Sequence, residues 1–154
     1  MRGVPVLVML MLFYYSFFAS VRISAVAVAI LVFGLNFAGY VAEIFRAAIQ
    51  SVGHGQIEAG IALGFSRPKT FYHIVLPQSL AGILPVYKGE VISMLKMTSI
   101  VGYVAIHDLT SASNMIRSRT YDAFFPLVMV ALLYLVLSGV LTMVLGRLEK
   151  RVNR

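Results

Sequence analysis

Residues 58–77 read EAGIALGFSRPKTFYHIVLP, and this segment lies between stretches of chain that are almost entirely apolar. Ile57, Ile61 and Phe65 recur at the spacing of one helical face, beside small alanines, which predicts a short amphipathic helix. Gly64 is placed to end that helix, because glycine adopts a left-handed conformation at little cost.

A second short helix is predicted after the glycine. Ser66 is a suitable N-cap, and Pro68 is tolerated in a first helical turn because its missing N–H would be unpaired there. Pro77 disfavours helical backbone at Leu76 and is expected to close the helix. The pattern therefore predicts two short helices around a glycine turn.

The flanking sequence predicts membrane spans. The chain is 60% hydrophobic and 12% charged, whereas soluble domains are roughly half apolar and a quarter charged. Uncharged runs of 19, 20 and 24 residues lie at 3–21, 23–42 and 123–146, and roughly 20 helical residues cross a bilayer. Backbone in lipid must be hydrogen-bonded within its own segment, which favours helices.

We therefore predict an all-α polytopic transmembrane bundle with four spans and a cytoplasmic helix-turn-helix loop between spans two and three. Its predicted spans are residues 4–19, 24–45, 89–106 and 123–146, and its loop is 46–88. The third span is the least hydrophobic because Glu90 and Lys96 interrupt it.

Glu58-Ala59-Gly60 is followed by three residues, Gly64, nine residues and Ile74-Val75-Leu76-Pro77. This spacing resembles the cytoplasmic signature loop of bacterial ABC importer permeases, in which the loop docks the membrane subunit onto its ATPase. Gly60 stands where the family often has alanine, a departure expected to matter little.

Further segments resemble the branch of the family that carries polar amino acids. They are AEIFR at 42–46 and KMTSI at 96–100, while RGVP at 2–5 is similar to the RGTP that begins a span in the family. The family has at least one further span before that motif, so we expect the chain to be a fragment, a shortened product or a sequence begun at an internal methionine.

The resemblance implies a permease subunit of an ATP-driven importer in the bacterial inner membrane. Its implied partners are an ABC ATPase subunit that binds ATP and Mg, a periplasmic or lipid-anchored solute-binding protein, a second permease subunit in a homo- or heterodimer, and membrane lipid. The chain itself has no phosphate-binding glycine loop, so no cofactor is expected on it. The implied ATPase-coupling residues are Glu58, Ala59, Gly60, Gly64, Ile74, Leu76 and Pro77.

Each part of the loop has an expected mechanical role. Ala59 and Gly60 permit close backbone approach, and Gly64 sets the bend between the helices. Glu58 is expected to complement the positive N-terminal end of its own helix. The alternative is an amphipathic loop that rests on the membrane surface.

A polar face in the second span predicts a lining of the substrate pathway. Asn36, Gly39, Tyr40 and Glu43 lie at i, i+3, i+4 and i+7, and polar groups in spanning helices usually face protein or a water-filled cavity. The alternatives are a helix-packing hydrogen bond for Asn36 and an interfacial position for Glu43. A separate face of small residues permits close helix contact; its members are Gly34, Ala38 and Ala42.

Lys96, Thr98 and Ser99 complete the candidate pathway. An ionisable group within a span is costly and is a functional-site hypothesis by default. Met97 departs from the acidic or amide residue that the family often has there, which weakens inference about the substrate. The alternatives for Lys96 are an ion pair with Glu90 or Glu43, or snorkelling to the inner surface.

The placement of Lys and Arg predicts the orientation. The net charge is +7, but the basic residues are scattered rather than gathered into a stripe with aromatics, which argues against nucleic-acid binding. By the positive-inside rule, the signature loop and both termini are cytoplasmic. The basic residues assigned to the inner side are Arg2, Arg46, Arg67, Lys69, Lys88, Arg147, Lys150, Arg151 and Arg154, whereas Arg22, Arg117 and Arg119 lie outside.

Other function classes have little support. The sequence has no cysteine, and its three histidines lack metal-binding spacing. An intramembrane enzyme would need a nucleophile–base or metal pair, and none is evident. The first apolar run is too long for a signal-peptide core and lacks a clean cleavage site. A small structural or channel-like membrane protein without an ATPase partner is the remaining alternative.

Overall fold

The computed structural model describes residues 3–152, apart from the side chains of residues 148 and 150–152, and this part of the chain is helical without any strand. Its α-helices are α1 (Val6–Leu12), α2 (Ala25–Ser51), α3 (His54–Ala62), α4 (Arg67–Thr70), α5 (Leu76–Met97), α6 (Leu109–Thr120) and α7 (Phe124–Val152). Three segments next to these helices have other helical geometries. Phe13–Phe17 and Phe71–Val75 are wider π-helix, and Thr98–Val104 is tighter 3₁₀-helix. The all-α class is confirmed for these residues.

Two helices are long and apolar enough to cross a membrane. They are α2 and the Phe124–Arg147 part of α7. The second of these matches the predicted fourth span, 123–146, to within one residue at each end. A third span results if the helical run Arg67–Val104 and α6, which meet at 52°, are counted as one bent span. The structure thus supports two or three of the four predicted spans on length and composition.

The first predicted span is shorter than expected. After Pro5 the chain forms seven residues of α-helix and five of π-helix, ending at Phe17 rather than at residue 19. A helix of this length rises about 18 Å, whereas the hydrocarbon core is about 30 Å thick. Arg2, the predicted inner anchor of this segment, lies outside the described residues.

The second predicted span begins within one residue of its predicted start. Ser24 accepts a hydrogen bond from the Ala27 N–H at 3.2 Å and so satisfies one of the free donors of the first turn of α2. The helix then continues to Ser51, well beyond the predicted end at residue 45. The segment Arg46–Ser51, expected to begin the loop, is therefore a helical extension of the span.

The core lies where α1, the first half of α2 and the 3₁₀ segment meet. Leu10, Val28, Val32 and Val104 are completely buried there. In a 3₁₀-helix side chains three positions apart eclipse, which places Val101 beside Val104 on the core side. The tighter winding thus presents both valines to α1 and α2.

The third predicted span begins much earlier than expected. Leu76 has helical backbone (φ −61°, ψ −47°), and the chain is helical without a break from Arg67 to Val104. The expectation that Pro77 closes a short helix is therefore wrong. Pro77 directly follows the π turn at Phe71–Val75, and the wider winding of that turn leaves room for the proline ring within the continuous helix.

The segment expected to be an outer loop, residues 107–121, contains α6. Asp108 caps this helix through a capping box in which its carboxylate accepts from the Ser111 N–H and Ser111 bonds back to the Asp108 backbone. Ala105, in a left-handed conformation with φ 59°, ends the preceding 3₁₀ turn and redirects the chain. The sequence analysis missed this helix because its residues are polar.

Candidate functional site

The segment after α2 forms the first predicted short helix, α3, and the predicted glycine turn, but the second helix, α4, is the start of the long helical run to Val104 rather than a separate short helix. Gly64 has φ +86°, and the Phe65 N–H donates to the Gly60 carbonyl at 3.1 Å while the Gly64 N–H donates to Ile61 at 2.9 Å. These two bonds are the Schellman motif that ends a helix with a left-handed residue. The prediction of a positive φ at Gly64 is confirmed.

The second helix of the loop starts as predicted but lacks its expected side-chain cap. Ser66 is the N-cap residue with extended backbone, and Pro68 lies in the first turn, yet the Ser66 hydroxyl makes no capping hydrogen bond. The Phe65 ring stacks on His73 with centroids 6.3 Å apart, and Lys69 Nζ lies 5.4 Å from the same ring centroid. These contacts brace the turn against the start of the long helix.

The predicted loop residues divide into a packed set and an exposed set. Gly60 is buried against Thr70 and Ile74, and Leu76 is half-buried. The exposed residues of the set are Glu58, Ala59, Gly64 and Pro77. A partner that docks here would meet the second set.

The expected electrostatic role of Glu58 is wrong. Helix α3 begins at His54, so Glu58 lies in its second turn, and the first turn contains no acidic residue. The favourable interaction with a helix N-terminus falls off within the first turn. Glu58 is instead an exposed charge on the surface of the loop.

Two large apolar side chains on the loop were missed by the sequence analysis. Leu63 is 75% exposed and Tyr72 is 64% exposed. They lie at positions that the spaced motif leaves unspecified, so they carried no signal. Leu63 directly precedes Gly64 and Tyr72 lies in the π turn before α5, and their exposure makes them candidates for contact with another protein.

An inner cleft separates the second half of α2 from α5. It has a volume of about 290 Å³. Glu43 and Tyr40 of the predicted pathway line it from α2, and Glu90 lines it from α5. Glu43 also pairs with Arg46 one turn further on, which agrees with the alternative of an interfacial position.

An outer cavity of about 400 Å³ lies beside the start of α6. Its lining residues are Ser99, Gly102, Tyr103, Asp108, Thr110, Ser111 and Asn114. Burial raises the pKa of the Asp108 carboxyl, whereas hydrogen bonds from Ser111 and Thr110 lower it, and the resulting pKa lies below its ordinary value. The cavity therefore combines a carboxylate that is ionised at neutral pH with several hydroxyls and an amide.

The predicted pathway residues are not gathered in one cavity. Glu43 lines the inner cleft and Ser99 lines the outer cavity. Asn36 is buried, and the Thr98 hydroxyl donates to the Leu95 carbonyl at 2.7 Å. Lys96 is exposed near the end of α5. It forms no ion pair with any residue that the structure describes, so the alternative of a pair with Glu90 or Glu43 is not supported.

Ser99 is the one residue of this cavity that the sequence predicted as a site residue, and Asp108 and Tyr103 are among those that it missed. Asp108 followed by Ser111 is the spacing of a helix N-cap, a signal that could have located both the helix and the polar cavity beside it. Among the described residues, no group of three His, Cys, Asp or Glu side chains could hold a metal ion.

Comparison with known proteins gives consistent results. The chain is 36% identical over 152 residues to the probable amino-acid ABC transporter permease protein YckA of Bacillus subtilis, covering 98% of this chain and 67% of that protein. It is 37% identical over 161 residues to the histidine/lysine/arginine/ornithine transport system permease protein HisM of Escherichia coli, covering 97% of this chain and 68% of the relative.

A solved structure shares the fold. It is the crystal structure of an amino acid ABC transporter with histidines, 36% identical, with a TM-score of 0.86 over 97% of this chain and 71% of that one. The family model described as binding-protein-dependent transport system inner membrane component matches residues 1–154. The chain therefore belongs to the family of inner membrane components of binding-protein-dependent transport systems.

Proposed function

We propose that this chain is the membrane-spanning permease subunit of an ATP-driven ABC importer that carries a polar amino acid across the bacterial inner membrane. The observation that carries the proposal is the loop at 54–77. It forms a compact helical knob, made of α3, the glycine turn and α4, at the base of the helical run that continues to the outer cavity. The family and the amino-acid transporters among the relatives support the substrate class.

The coupling loop, defined as residues 54–77, docks on the ATPase. Its exposed side chains offer a negative charge at Glu58, positive charges at Arg67 and Lys69, and apolar area at Leu63 and Tyr72. ATP and Mg bind to the partner ATPase, and a change in its shape moves the loop. Because the helical run from Arg67 to Val104 is unbroken, a tilt of the loop is carried to Ser99 and Tyr103 at the outer cavity.

The pathway runs along α5 from the outer cavity to the inner cleft. Lys96 lies between them on an exposed face with Ser93 and Gly89, at i, i−3 and i−7. A charged side chain at this depth faces water or another subunit rather than lipid. A second permease subunit, identical or paired, completes the pathway on this face, and the cleft at Glu43 forms its inner end.

The topology is four membrane segments with both termini and the coupling loop in the cytoplasm. The short helix Val6–Phe17 is the first segment and packs against the outer half of α2. The outer cavity opens to the periplasm, where a periplasmic or lipid-anchored solute-binding protein delivers the substrate. Membrane lipid covers the apolar surface of α7, since only Pro126 of the spanning stretch Phe124–Arg147 is buried within the chain.

The assignment of the coupling loop is tested by Gly64→Val. Valine at φ +86° costs about 1–3 kcal/mol of backbone strain, so the knob should tilt or melt. We expect normal membrane insertion but loss of ATPase co-purification, or of at least about nine-tenths of the ATP hydrolysis that the amino-acid-loaded binding protein stimulates. The assay uses the transporter assembled in proteoliposomes.

Gly53→Thr is the matched control, because threonine is β-branched like valine. Gly53 directly precedes the coupling loop as the N-cap of α3, its φ is negative (φ −59°, ψ 138°), and a Cβ there meets nothing within 4 Å. Threonine is about as favourable as glycine at an N-cap, so this variant should retain coupling. Full stimulated hydrolysis in Gly64→Val would refute the assignment, and failure of any ATPase to co-purify with the unaltered chain would favour a membrane protein without an ATPase partner.

A further inference from the structure

The two helices of the coupling loop touch through a glycine. Gly60 is buried in α3, and a Cβ placed on it would lie 2.6 Å from Thr70 Cγ2, 3.0 Å from Thr70 Oγ1 and 2.9 Å from Ile74 Cδ1. Atoms do not approach a Cβ this closely without a shift. Unlike Gly64, Gly60 has no positive φ, so the requirement here is for space.

Thr70 supplies most of this contact. It is 1% exposed, and its Oγ1 has no hydrogen-bond partner among the described residues. A buried hydroxyl without a partner opposes folding, so its polarity contributes nothing favourable at this position. The side chain therefore acts through its shape, which fills the space that Gly60 leaves open.

The contact joins the knob to the long helix. Thr70 is the last residue of α4, and the π turn at Phe71–Val75 continues directly into α5. Helix α3 thus rests on the base of the helix that reaches the outer cavity. A force applied to α3 passes through Gly60 and Thr70 before it reaches α5.

We propose that Thr70 is a positioning residue of the coupling loop, and that the matched pair of Gly60 and Thr70 sets the distance between α3 and the long helix. The proposal rests on the proposed function of this loop. It also corrects the expectation that alanine in place of Gly60 matters little, because in this chain alanine would collide with Thr70. Alanine at position 60 requires a smaller residue at position 70.

The test is a rescue experiment in the assembled transporter with its ATPase and its binding protein, supplied with a mixture of the 20 common L-amino acids. Gly60→Ala should lower the stimulated ATP hydrolysis by about tenfold, as expected for overpacking, while the ATPase still co-purifies. Adding Thr70→Ala removes both Thr70 atoms that meet the new Cβ and should restore at least half of the lost stimulation. Thr70→Val, which keeps the shape without the hydroxyl, should leave stimulation unchanged.

Gly55→Ala is the control for the effect of alanine on a helix. Gly55 lies in the same helix, and a Cβ there meets nothing within 4 Å, so stimulation should persist. The proposal is overturned if Gly60→Ala couples fully, if Gly55→Ala is equally impaired, or if Thr70→Ala fails to rescue. If Gly64→Val loses the stimulated ATP hydrolysis while Gly60→Ala retains all of it, the matched pair is refuted and the assignment of the loop stands.

Discussion

Asp108 caps α6 through its two carboxylate oxygens and also lines the outer cavity. Oδ1 accepts from the Ser111 N–H at 2.9 Å and Oδ2 from the Thr110 N–H at 3.2 Å. Each carboxylate oxygen can accept a further hydrogen bond, and Asp108 lines the outer cavity. Gly102 eases the close approach of α6, since a Cβ there would lie 3.3 Å from Ser111 Cβ. A substrate ammonium group fits such an environment.

Replacing Asp108 separates its two roles. Asp108→Asn retains an N-cap of similar strength but removes the charge, whereas Asp108→Ala removes both, and loss of a cap costs about 0.5–2 kcal/mol. We expect Asn to lower amino-acid uptake by about tenfold with an unchanged thermal midpoint, and Ala to lower both. Uptake and unfolding of the purified protein are the measurements, and normal uptake by Asp108→Asn would remove this carboxylate from the site.

The same residue predicts a direction of pH dependence. Because the pKa of Asp108 is depressed in the folded chain, its stabilising contribution is present above the ordinary carboxylate pKa and is lost as pH falls through the folded value. The contribution is therefore complete at neutral pH.

At the scale of single residues, the sequence correctly predicted properties that depend only on the local backbone conformation. Gly64 has the expected positive φ because a helix end needs a left-handed residue wherever it is placed. The role of Glu58 was mispredicted because it depends on where α3 begins, and the crowding at Gly60 was missed because Thr70 approaches it only in the folded loop.

At the scale of the elements, hydrophobic runs located the helices of two spans well, whereas prolines were poor predictors of where helices end. The predicted 24–45 and 123–146 lie within α2 and α7 apart from one residue at the start of each. By contrast, Pro77 and Pro85 both lie inside one continuous helix. The π turn just before Pro77 leaves room for its ring, whereas no such feature accounts for Pro85. Helix α6 is polar and gave no hydrophobic run, so its cap was the only signal.

An ion pair joins the middle of α5 to the C-terminal part of α7. Lys88 Nζ of α5 lies 2.7 Å from Glu149 Oε2 of α7, with side chains 28% and 22% exposed. Removing one partner leaves the other charge half-buried, so Lys88→Ala should destabilise the bundle by about 1–3 kcal/mol. Glu149→Ala should do the same, and the double variant should be no worse than either alone. Thermal unfolding in detergent measures the effect.

Arg147 provides a control for this pair, since it is exposed on the same helix. Arg147→Ala should shift stability by less than about 0.5 kcal/mol. Additive losses in the Lys88 and Glu149 double variant would show that the contact does not hold α5 to α7.

Across the whole molecule, many large apolar side chains are exposed on surfaces that no other part of the chain covers. Leu135, Val136 and Met143 of α7 are each at least 60% exposed, and the small-residue face of α2, at Gly34, Ala38 and Ala42, is also exposed rather than packed within the chain. The expected close helix contact is therefore not made inside this chain. Lipid covers the first surface, and a neighbouring helix fits the second, since small residues permit close approach.

The orientation of the whole molecule is tested by labelling, because the sequence contains no cysteine. Ser66→Cys in the coupling loop and Ser118→Cys in α6 both place a thiol at an exposed position. By the positive-inside rule, an impermeant maleimide added to intact cells should label Ser118→Cys at once and Ser66→Cys only after permeabilisation. Ser113→Cys is the buried control: Ser113 is 2% exposed although it lies on the same outer helix, so it should react only after denaturation. Labelling of Ser66→Cys in intact cells would invert the topology and place the coupling loop out of reach of any cytoplasmic ATPase.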